Sequence, residues 1–136
     1  MAKTKKTEDS KDLHWLELYQ KVGRLKLSVA KSIGVKCADI YISKNHVRHI
    51  NKKHKKELEQ LGINAVDFVK FIVTNFNQIR QGTNNSLLLV IYNERMAKVA
   101  AIDLNHSFKK IFWEVKTAQP RYSNPLIKKK LLWQKK

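Results

Sequence analysis

The spacing of apolar residues changes once along the chain. It follows a helical period through residues 13–79 and a strand-like pattern after Ser86. The most regular helical stretch is Ser43 to Leu61, whose apolar stripe consists of Val47, Ile50, His54, Leu58 and Leu61. Ser43 is predicted to cap the start of this helix, and Gly62 is predicted to end it.

Two other helices are predicted around this one. A first helix begins near Lys11 and stops at Gly34, and it either bends at Gly23 or is divided there into two pieces. A short extended segment, Val35 to Ile42, leads from it into the histidine-rich helix. The main core helix follows a cap at Asn64 and ends at Gly82. Its apolar face consists of Ala65, Phe68, Val69, Ile72, Val73, Phe76 and Ile79.

The chain after Ser86 predicts a small antiparallel sheet. The predicted strands are 87–92, 97–104 and 111–118, joined by short links into a meander. Pro120 and Pro125 are expected to break regular structure, and residues 126–133 form a last strand or a short helix. Because helices come first and the sheet follows, the predicted fold class is α+β, with N-terminal helices packed on a small antiparallel β-sheet meander.

Length and composition bound the organisation of the chain. The 136 residues, of which 43% are hydrophobic, suit one domain with a real core. We expect residues 1–10 to be a disordered basic tail and residues 11–136 to form a single domain. No apolar export signal is present and no apolar run is long enough to cross a bilayer, so we expect a cytoplasmic protein without a membrane partner. The single cysteine, Cys37, is expected to be a small packing residue.

Charge indicates the class of partner. The 28 Lys and Arg residues against 11 acids give a formal net charge of +17, which indicates a polyanion, nucleic acid first. Many of these cations lie on the histidine-rich helix and in the lysine triplet 128–130, while Arg80 is placed at the end of the core helix. The side chains expected to contact nucleic acid are His46, Arg48, Lys52, Lys53, Lys56, Arg80, Lys98, Lys116, Arg121, Lys128, Lys129 and Lys130.

Three histidines on the basic helix supply the candidate chemistry. His46, His49 and His54 lie among cations that would hold a phosphate, and imidazole both gives and takes protons near pH 7. The glycines are too dispersed for a phosphate loop, the acids are too scattered for a two-metal nuclease, and the three histidines converge poorly for zinc. What remains is phosphoryl transfer without metal or cofactor. RNA suits this chemistry because its 2'-hydroxyl is a nucleophile already in place.

The sequence HVRHINKKH, followed by a predicted helix, an apolar strand meander and the strand end EVKTAQP, resembles the barnase/EndoU/colicin/RelE-like nuclease superfamily, and within it the phage-associated branch. The resemblance covers about residues 35–136, as a nuclease-like core. It implies a metal-independent endoribonuclease that cleaves RNA by 2'-hydroxyl attack, a toxin or phage-related role, and an acidic antidote protein as a further partner. Carried onto this chain, it implies His49, His54 and Thr117 as the catalytic residues.

The sequence leaves other interpretations open. The basic helix also fits a non-catalytic RNA- or DNA-binding module, and a phage-derived structural protein that has lost activity is a third alternative. His54 is either a hydrogen-bonded core histidine or a catalytic group, and Thr117 is either a β-forming residue or a catalytic hydroxyl. Strand alternation puts Thr117 on the same face as Trp113 and Val115, which are predicted to lie in the core. A catalytic Thr117 therefore has to lie at the edge of the core.

The net charge makes RNA affinity sensitive to salt. If several phosphates are neutralised by Lys and Arg, affinity for single-stranded RNA falls by roughly tenfold or more between 50 and 200 mM salt, because bound counterions are released. Titrations of labelled RNA followed by fluorescence anisotropy measure this slope. An affinity that does not change with salt contradicts the electrostatic interpretation.

Overall fold

The structure is a computed structural model that describes residues 17–106 and 110–136. In chain order its elements are β1 (Tyr19–Arg24), α1 (Leu27–Ile33), β2 (Asp39–Ser43), α2 (Lys44–Lys53), α3 (Lys55–Leu61), α4 (Ala65–Asn75), β3 (Gln78–Gln81), a 3-10 turn (Thr83–Asn85), β4 (Leu87–Ile91), β5 (Met96–Asn105), β6 (Phe112–Tyr122), α5 (Ser123–Leu126) and β7 (Leu131–Gln134). The predicted tail, residues 1–10, and the predicted start of a helix near Lys11 lie outside the described residues. Within the described ranges, no helix combines the length and the apolar character needed to cross a membrane.

The strands of the described residues form one seven-stranded sheet in the order β1-β2-β6-β5-β4-β3-β7. Strands β4, β5 and β6 make the predicted antiparallel meander, whereas β2 runs parallel to β6. Parallel pairing needs a long crossover connection, which here contains α2, α3 and α4. The α+β class is confirmed. The prediction that the helices precede the sheet is wrong, because β1 and β2 come early in the chain and are the two strands at one edge of the sheet.

The segment Tyr19–Arg24 is a strand and not the helix that its apolar spacing predicts. It pairs antiparallel with β2, and a register shift between Lys21 and Gly23 marks a β-bulge. Helix α4 packs on this strand, and a Cβ at Gly23 would lie 2.3 Å from Val73 Cγ1. Glycine therefore permits a close approach between two segments that are distant in sequence, and local spacing does not reveal such a contact.

Four of the predicted helix ends are confirmed, those at Ser43, Asn64, Gly34 and Gly62. The Ser43 hydroxyl accepts the His46 backbone N–H at 3.1 Å, and the Asn64 side chain accepts a backbone N–H at the start of α4. Gly34 and Gly62 end α1 and α3 in the left-handed conformation, with φ of 72° and 68°.

The histidine-rich helix is in two parts. Helix α2 ends and α3 begins at His54, whose φ of −121° and ψ of 27° are not helical. Ile50 and Leu58, on either side of the break, are both buried in the main core. The continuous helix predicted from Ser43 to Leu61 is therefore bent at the one polar residue of its apolar stripe.

The main core helix is shorter than predicted. It ends at Asn75, and Gln78–Gln81 forms strand β3, which pairs with β4 and β7. Ile79 is fully buried in this strand. A three-residue step from Phe76 to Ile79 fits a helix and also a turn into a strand, so apolar spacing alone does not separate them.

The sheet has two different faces. The inner face packs with helices α1 to α4 in the main core, which also contacts Cys37 as predicted. The outer face carries the alternate residues of the same strands. On β2 and β6 the inner-face residues are Ile40, Ile42, Trp113 and Val115, and the outer-face residues are Asp39, Tyr41, Ser43, Phe112 and Glu114. Helix α5 covers part of the outer face, where Leu126 packs with residues of β4 and β5.

A β-bulge in β6 moves Thr117 to the outer face. Ile102 pairs with Val115 but Ala101 pairs with Thr117, so Lys116 is an extra residue between them. Paired residues share a face, and Ala101 packs against the outer-face cluster under α5. The predicted placement of Thr117 on the core face is therefore wrong.

The two prolines do not break the chain where the sequence predicts. Strand β6 continues through Pro120 to Tyr122, because its pairing with β2 stops at Val115 and, in the part of the chain that the structure describes, the later residues have a neighbouring strand on one side only. Pro125 lies in the short helix α5. Residues 126–133 are predicted to form a last strand or a short helix. The strand alternative is correct for residues 131–133, which are the first three residues of β7.

Ile72 tests the packing of α4 on the sheet. It is fully buried in the core cluster that includes Leu87 and Leu89, so Ile72→Ala is expected to lower the free energy of unfolding by about 2 to 5 kcal/mol. Phe71, which is 46% exposed on the same helix, is the control, and Phe71→Ala is expected to cost about 1 kcal/mol or less. Urea denaturation followed by circular dichroism measures both. Equal small losses would contradict the observed packing.

Candidate functional site

Glu114 on strand β6 is the centre of a polar cluster on the outer face. Its side chain is only 6% exposed, and both carboxylate oxygens have partners. Oε1 accepts hydrogen bonds from Asn105 Nδ2 at 2.8 Å and Lys116 Nζ at 3.3 Å. Oε2 accepts one from the Tyr19 hydroxyl at 3.4 Å and lies 3.3 Å from His46 Nδ1. We call these five residues the Glu114 cluster.

The Glu114 carboxylate is ionised at neutral pH. Burial raises its pKa, but the hydrogen bonds from His46 and Asn105 and the charge of Lys116 outweigh burial and lower the pKa from 4.5 to about 2. Glu114 is therefore a permanent negative charge inside the cluster. Its negative charge lies 3.3 Å from Nδ1 of the His46 imidazole.

His46 is held in place by the start of helix α2. Ser43, the last residue of β2, caps the helix through the His46 N–H, and its hydroxyl also lies 2.8 Å from His46 Nδ1. Because β2 runs parallel to β6, this cap lies close to Glu114. Both ring contacts use Nδ1, and the side chain is 27% exposed, so Nε2 is the nitrogen that can face a substrate. An imidazole oriented in this way can transfer a proton through Nε2.

A row of exposed cations continues along the same helix. Helix α2 packs against β6, and His49 follows His46 by three residues, which places the two imidazoles on neighbouring turns. Five exposed side chains of α2 and α3, which we call the basic ridge, are Arg48, His49, Lys52, Lys53 and Lys56. The ridge extends from the Glu114 cluster along the helix and provides charge for a polyanion.

The three predicted catalytic residues occupy different environments. His49 is exposed on α2, Thr117 is partly buried on the outer face, and His54 is buried at the junction of α2 and α3. His54 Nδ1 lies 3.8 Å from Glu57 Oε1, and its buried Nε2 has no hydrogen-bond partner among the described residues. The burial of His54 fits a core histidine, but an Nε2 without a partner among the described residues does not fit a hydrogen-bonded one, so both interpretations that the sequence leaves open remain.

Arg80 is a structural residue of the sheet. It lies in β3 and not at the end of the core helix, and it is only 7% exposed. Its Nε donates to Gln78 Oε1 at 3.0 Å, and its Nη1 donates to the Lys129 carbonyl at 2.8 Å. Because this guanidinium holds the segment before β7 against the sheet, we leave Arg80 out of the proposed nucleic-acid surface.

The other cations predicted to contact nucleic acid lie on several surfaces. Lys116 belongs to the Glu114 cluster, and Arg121 pairs with Ala97 on the outer face. Lys98 alternates with the outer-face residues of β5 and points to the opposite side. In the triplet 128–130, the first and third lysines are exposed and the second is partly buried. The structure therefore brings His46 and Lys116 together, and the remaining cations are spread around them.

Glu114 is the main residue that sequence analysis missed. It is the only acid in β6 and stands between the buried residues Trp113 and Val115. An acid in such a strand needs partners, because an unpaired buried charge is costly. A single acid between two apolar residues of a predicted strand could therefore have identified Glu114 from the sequence. The identity of the partners, however, depends on which strands are neighbours, and the sequence does not show that β2 lies beside β6.

The chain was compared with known proteins. No protein-family model matches it, and neither the curated proteins nor the solved structures contain a significant match. Within residues 17–106 and 110–136, no group of three or more His, Cys, Asp or Glu side chains is placed to hold a metal ion. The resemblance to a nuclease superfamily remains an expectation based on sequence motifs.

The low pKa of Glu114 makes the free energy of unfolding depend on pH in the acid range. Its pKa is about 2 in the folded protein and near 4.5 when unfolded, so between these values the unfolded chain binds more protons and stability rises with pH. The contribution is present above about pH 5 and lost as pH falls toward 2, by roughly 2 to 3 kcal/mol. We expect Glu114→Gln to flatten the fall in unfolding free energy over this window. Glu94→Gln, at an exposed turn, is the control and should keep the wild-type slope. An unchanged slope in Glu114→Gln would contradict the low pKa.

Proposed function

We propose that this protein is a metal-independent endoribonuclease that cleaves RNA by attack of the 2'-hydroxyl group on the adjacent phosphate. The observation that carries the proposal is the contact between His46 Nδ1 and the buried Glu114 carboxylate, 3.3 Å apart, beside a ridge of exposed cations. A buried carboxylate that orients a partly exposed imidazole is suited to proton transfer. The neighbouring cations are suited to hold a phosphodiester.

The proposed reaction transfers two protons, one from the 2'-hydroxyl to a base on the protein and one from an acid on the protein to the 5'-oxygen. Neutral His46 accepts the 2'-hydroxyl proton on Nε2 while the oxygen attacks phosphorus, and Glu114 stabilises the imidazolium that forms. The bond to the 5'-oxygen breaks, and that oxygen receives a proton from a second group. His49 is our candidate for this acid, because it lies one helical turn from His46. The products are a 2',3'-cyclic phosphate and a free 5'-hydroxyl.

Two side chains of the β6 bulge are candidates to bind the reacting phosphate. Lys116 contacts Glu114 at 3.3 Å and its side chain is 42% exposed, so it can contact both the cluster and a ligand. Thr117 follows it on the outer face, where its hydroxyl is a hydrogen-bond donor. Positive charge and a donor at this place would stabilise the negative charge that develops on phosphorus-bound oxygens. His54, which the resemblance implies as catalytic, is proposed instead to support the junction of α2 and α3.

RNA is the proposed substrate because of charge and chemistry together. The net charge of +17 favours any nucleic acid, but only RNA brings the nucleophile that this mechanism uses. A toxin or phage-related role and an acidic antidote protein are further proposals from the sequence resemblance. A strongly basic surface attracts an acidic protein by electrostatic complementarity.

A second candidate function is a non-catalytic RNA-binding module. The observation that favours it is the basic ridge itself, because Arg48, Lys52, Lys53 and Lys56 are exposed and can contact backbone phosphates without any chemistry. The two functions share the same surface. They differ in whether His46 and Glu114 are needed for RNA cleavage, in addition to any contribution to RNA binding and stability.

Variants of the Glu114 cluster separate these two functions. We expect His46→Ala and Glu114→Gln to lower the rate of RNA cleavage by about 10² or more, since each removes part of the proton-transfer group, while RNA affinity changes little. His49→Ala is expected to lower the rate as well. His54→Ala is expected to lower thermal stability more than activity per folded molecule. Lys70→Ala, exposed on α4 and outside the proposed site, is the control for the loss of a surface charge.

The assay uses labelled single-stranded RNA in EDTA and identifies the product ends. Full activity in EDTA with 2',3'-cyclic phosphate ends supports the proposal. If the wild-type protein binds RNA but leaves it intact in EDTA and in magnesium alike, the protein is a binding module. If His54→Ala is folded and inactive while His46→Ala is active, the site is at the helix junction and the assignment to Glu114 is wrong.

A further inference from the structure

A second buried carboxylate lies on the outer face, at the other end of β2. Asp39 is 9% exposed in its side chain and is surrounded by three cations. Its Oδ1 lies 2.9 Å from Arg24 Nη1 and 3.5 Å from Lys21 Nζ, and its Oδ2 accepts a hydrogen bond from Lys110 Nζ at 2.8 Å. We call Asp39 and these three cations the Asp39 cluster.

Three separate segments build the Asp39 cluster. Arg24 pairs with Asp39 across β1 and β2, and the β1 bulge allows both Lys21 and Arg24 to reach the outer face. Lys110 comes from the segment just before β6, where its Nζ also lies 5.7 Å from the centre of the Tyr41 ring. The convergence of cations from different segments on one carboxylate is a property of the fold and not of a local charge run.

The cations outnumber the carboxylate and remain accessible. Burial raises the pKa of Asp39, but hydrogen bonds from Lys110 and Arg24 lower it to about 2, so Asp39 is charged at neutral pH. Among residues 17–106 and 110–136, its one negative charge faces three positive charges, which leaves an excess of two. The side chains of Lys21 and Arg24 are each 55% exposed and that of Lys110 is 51% exposed. Asp39 therefore positions the cations without neutralising them, and an anion would complete the cluster.

The Asp39 cluster lies next to the Glu114 cluster. Tyr41 is aligned with Glu114 across β2 and β6, and Asp39 precedes Tyr41 by two residues on the same face. Two residues along a strand and one strand across correspond to about 8 Å between the Cα atoms of Asp39 and Glu114. An extended nucleotide chain can place neighbouring phosphates at both clusters.

We propose that Lys21, Arg24 and Lys110 form a subsite for a phosphodiester that neighbours the scissile phosphate. This inference rests on the proposed ribonuclease function, because it takes the Glu114 cluster as the place of cleavage. The subsite binds the sugar-phosphate backbone and reads no base, since its groups are cations oriented by a carboxylate. It orients the substrate chain along β2, and a substrate with only one phosphate lacks this interaction.

The test combines protein variants with neutralised phosphates. The substrate is an oligodeoxynucleotide with a single ribonucleotide, so that cleavage occurs at one known phosphate. In two further substrates, the neighbouring phosphate on the 5' side or on the 3' side is replaced by an uncharged methylphosphonate. Each is measured with wild type, Lys110→Gln, Arg24→Gln and the exposed α4 control Lys70→Gln. Thermal denaturation checks that every variant is folded.

We expect a loss of kcat/KM that depends both on the charge of the neighbouring phosphate and on the cations of the Asp39 cluster. One methylphosphonate, on one side only, lowers kcat/KM for the wild type and for Lys70→Gln by about fivefold or more, the effect of losing a charge-assisted contact. In Lys110→Gln and Arg24→Gln that same replacement has little further effect, because the contact is already absent. A merely structural role of these cations would lower stability but would not create this dependence. The proposal is overturned if each methylphosphonate lowers kcat/KM by the same factor in the wild type, in Lys110→Gln and in Arg24→Gln.

The same set of measurements separates this inference from the proposed function. An all-deoxy oligonucleotide cannot react through a 2'-hydroxyl, so its affinity can be measured by fluorescence anisotropy with the same methylphosphonate positions. If the protein binds these chains with the expected dependence on Lys110 and Arg24 but cleaves no RNA, the phosphate subsite is supported and the ribonuclease proposal fails. If RNA is cleaved and the affinities show no such dependence, the subsite alone is wrong.

Discussion

The buried carboxylate of Glu114 is the constraint around which the outer face is organised. Removing an ion from water costs several kcal/mol unless partners replace the lost hydration. Here the partners come from four elements, with Tyr19 from β1, His46 from α2, Asn105 from β5 and Lys116 from the bulge of β6 itself. Satisfying this one charge therefore requires the start of α2 and three strands to meet at one place. The imidazole that the proposed chemistry uses is oriented by the same requirement.

Much of the fold could be predicted from the sequence because much of it is encoded locally. The caps Ser43 and Asn64, the final glycines Gly34 and Gly62 and the meander after Ser86 all follow from short-range rules. The errors lie where distant contacts decide the structure. Tyr19–Arg24 has a helical apolar period but pairs with β2, and Gln78–Gln81 leaves the helical pattern to pair with β4 and β7. The sequence alone contains no sign of these pairings.

The candidate site was predictable only in part, for the same reason. Sequence patterns identify the basic helix, and they include His46 and Lys116 among the phosphate-binding residues, but not as members of one cluster. Glu114 appears in the sequence as one of a few scattered acids, and its importance depends on the parallel pairing of β2 with β6. Thr117 shows a further limit, because a single extra residue in β6 reverses the face that strand alternation predicts. A one-residue bulge cannot be located from alternation alone.

The charge of the protein connects its folding with its proposed binding. A net charge of +17 opposes a compact state through repulsion, and the two buried carboxylates collect cations from several segments and reduce that repulsion locally. Asp39 nevertheless faces more positive charge than it can neutralise, because three half-exposed cations surround it. A phosphate chain on the outer face would supply the missing negative charge. The residues that stabilise this face are thus the ones that a polyanion would contact, and an anion bound to the folded state must stabilise the fold in return.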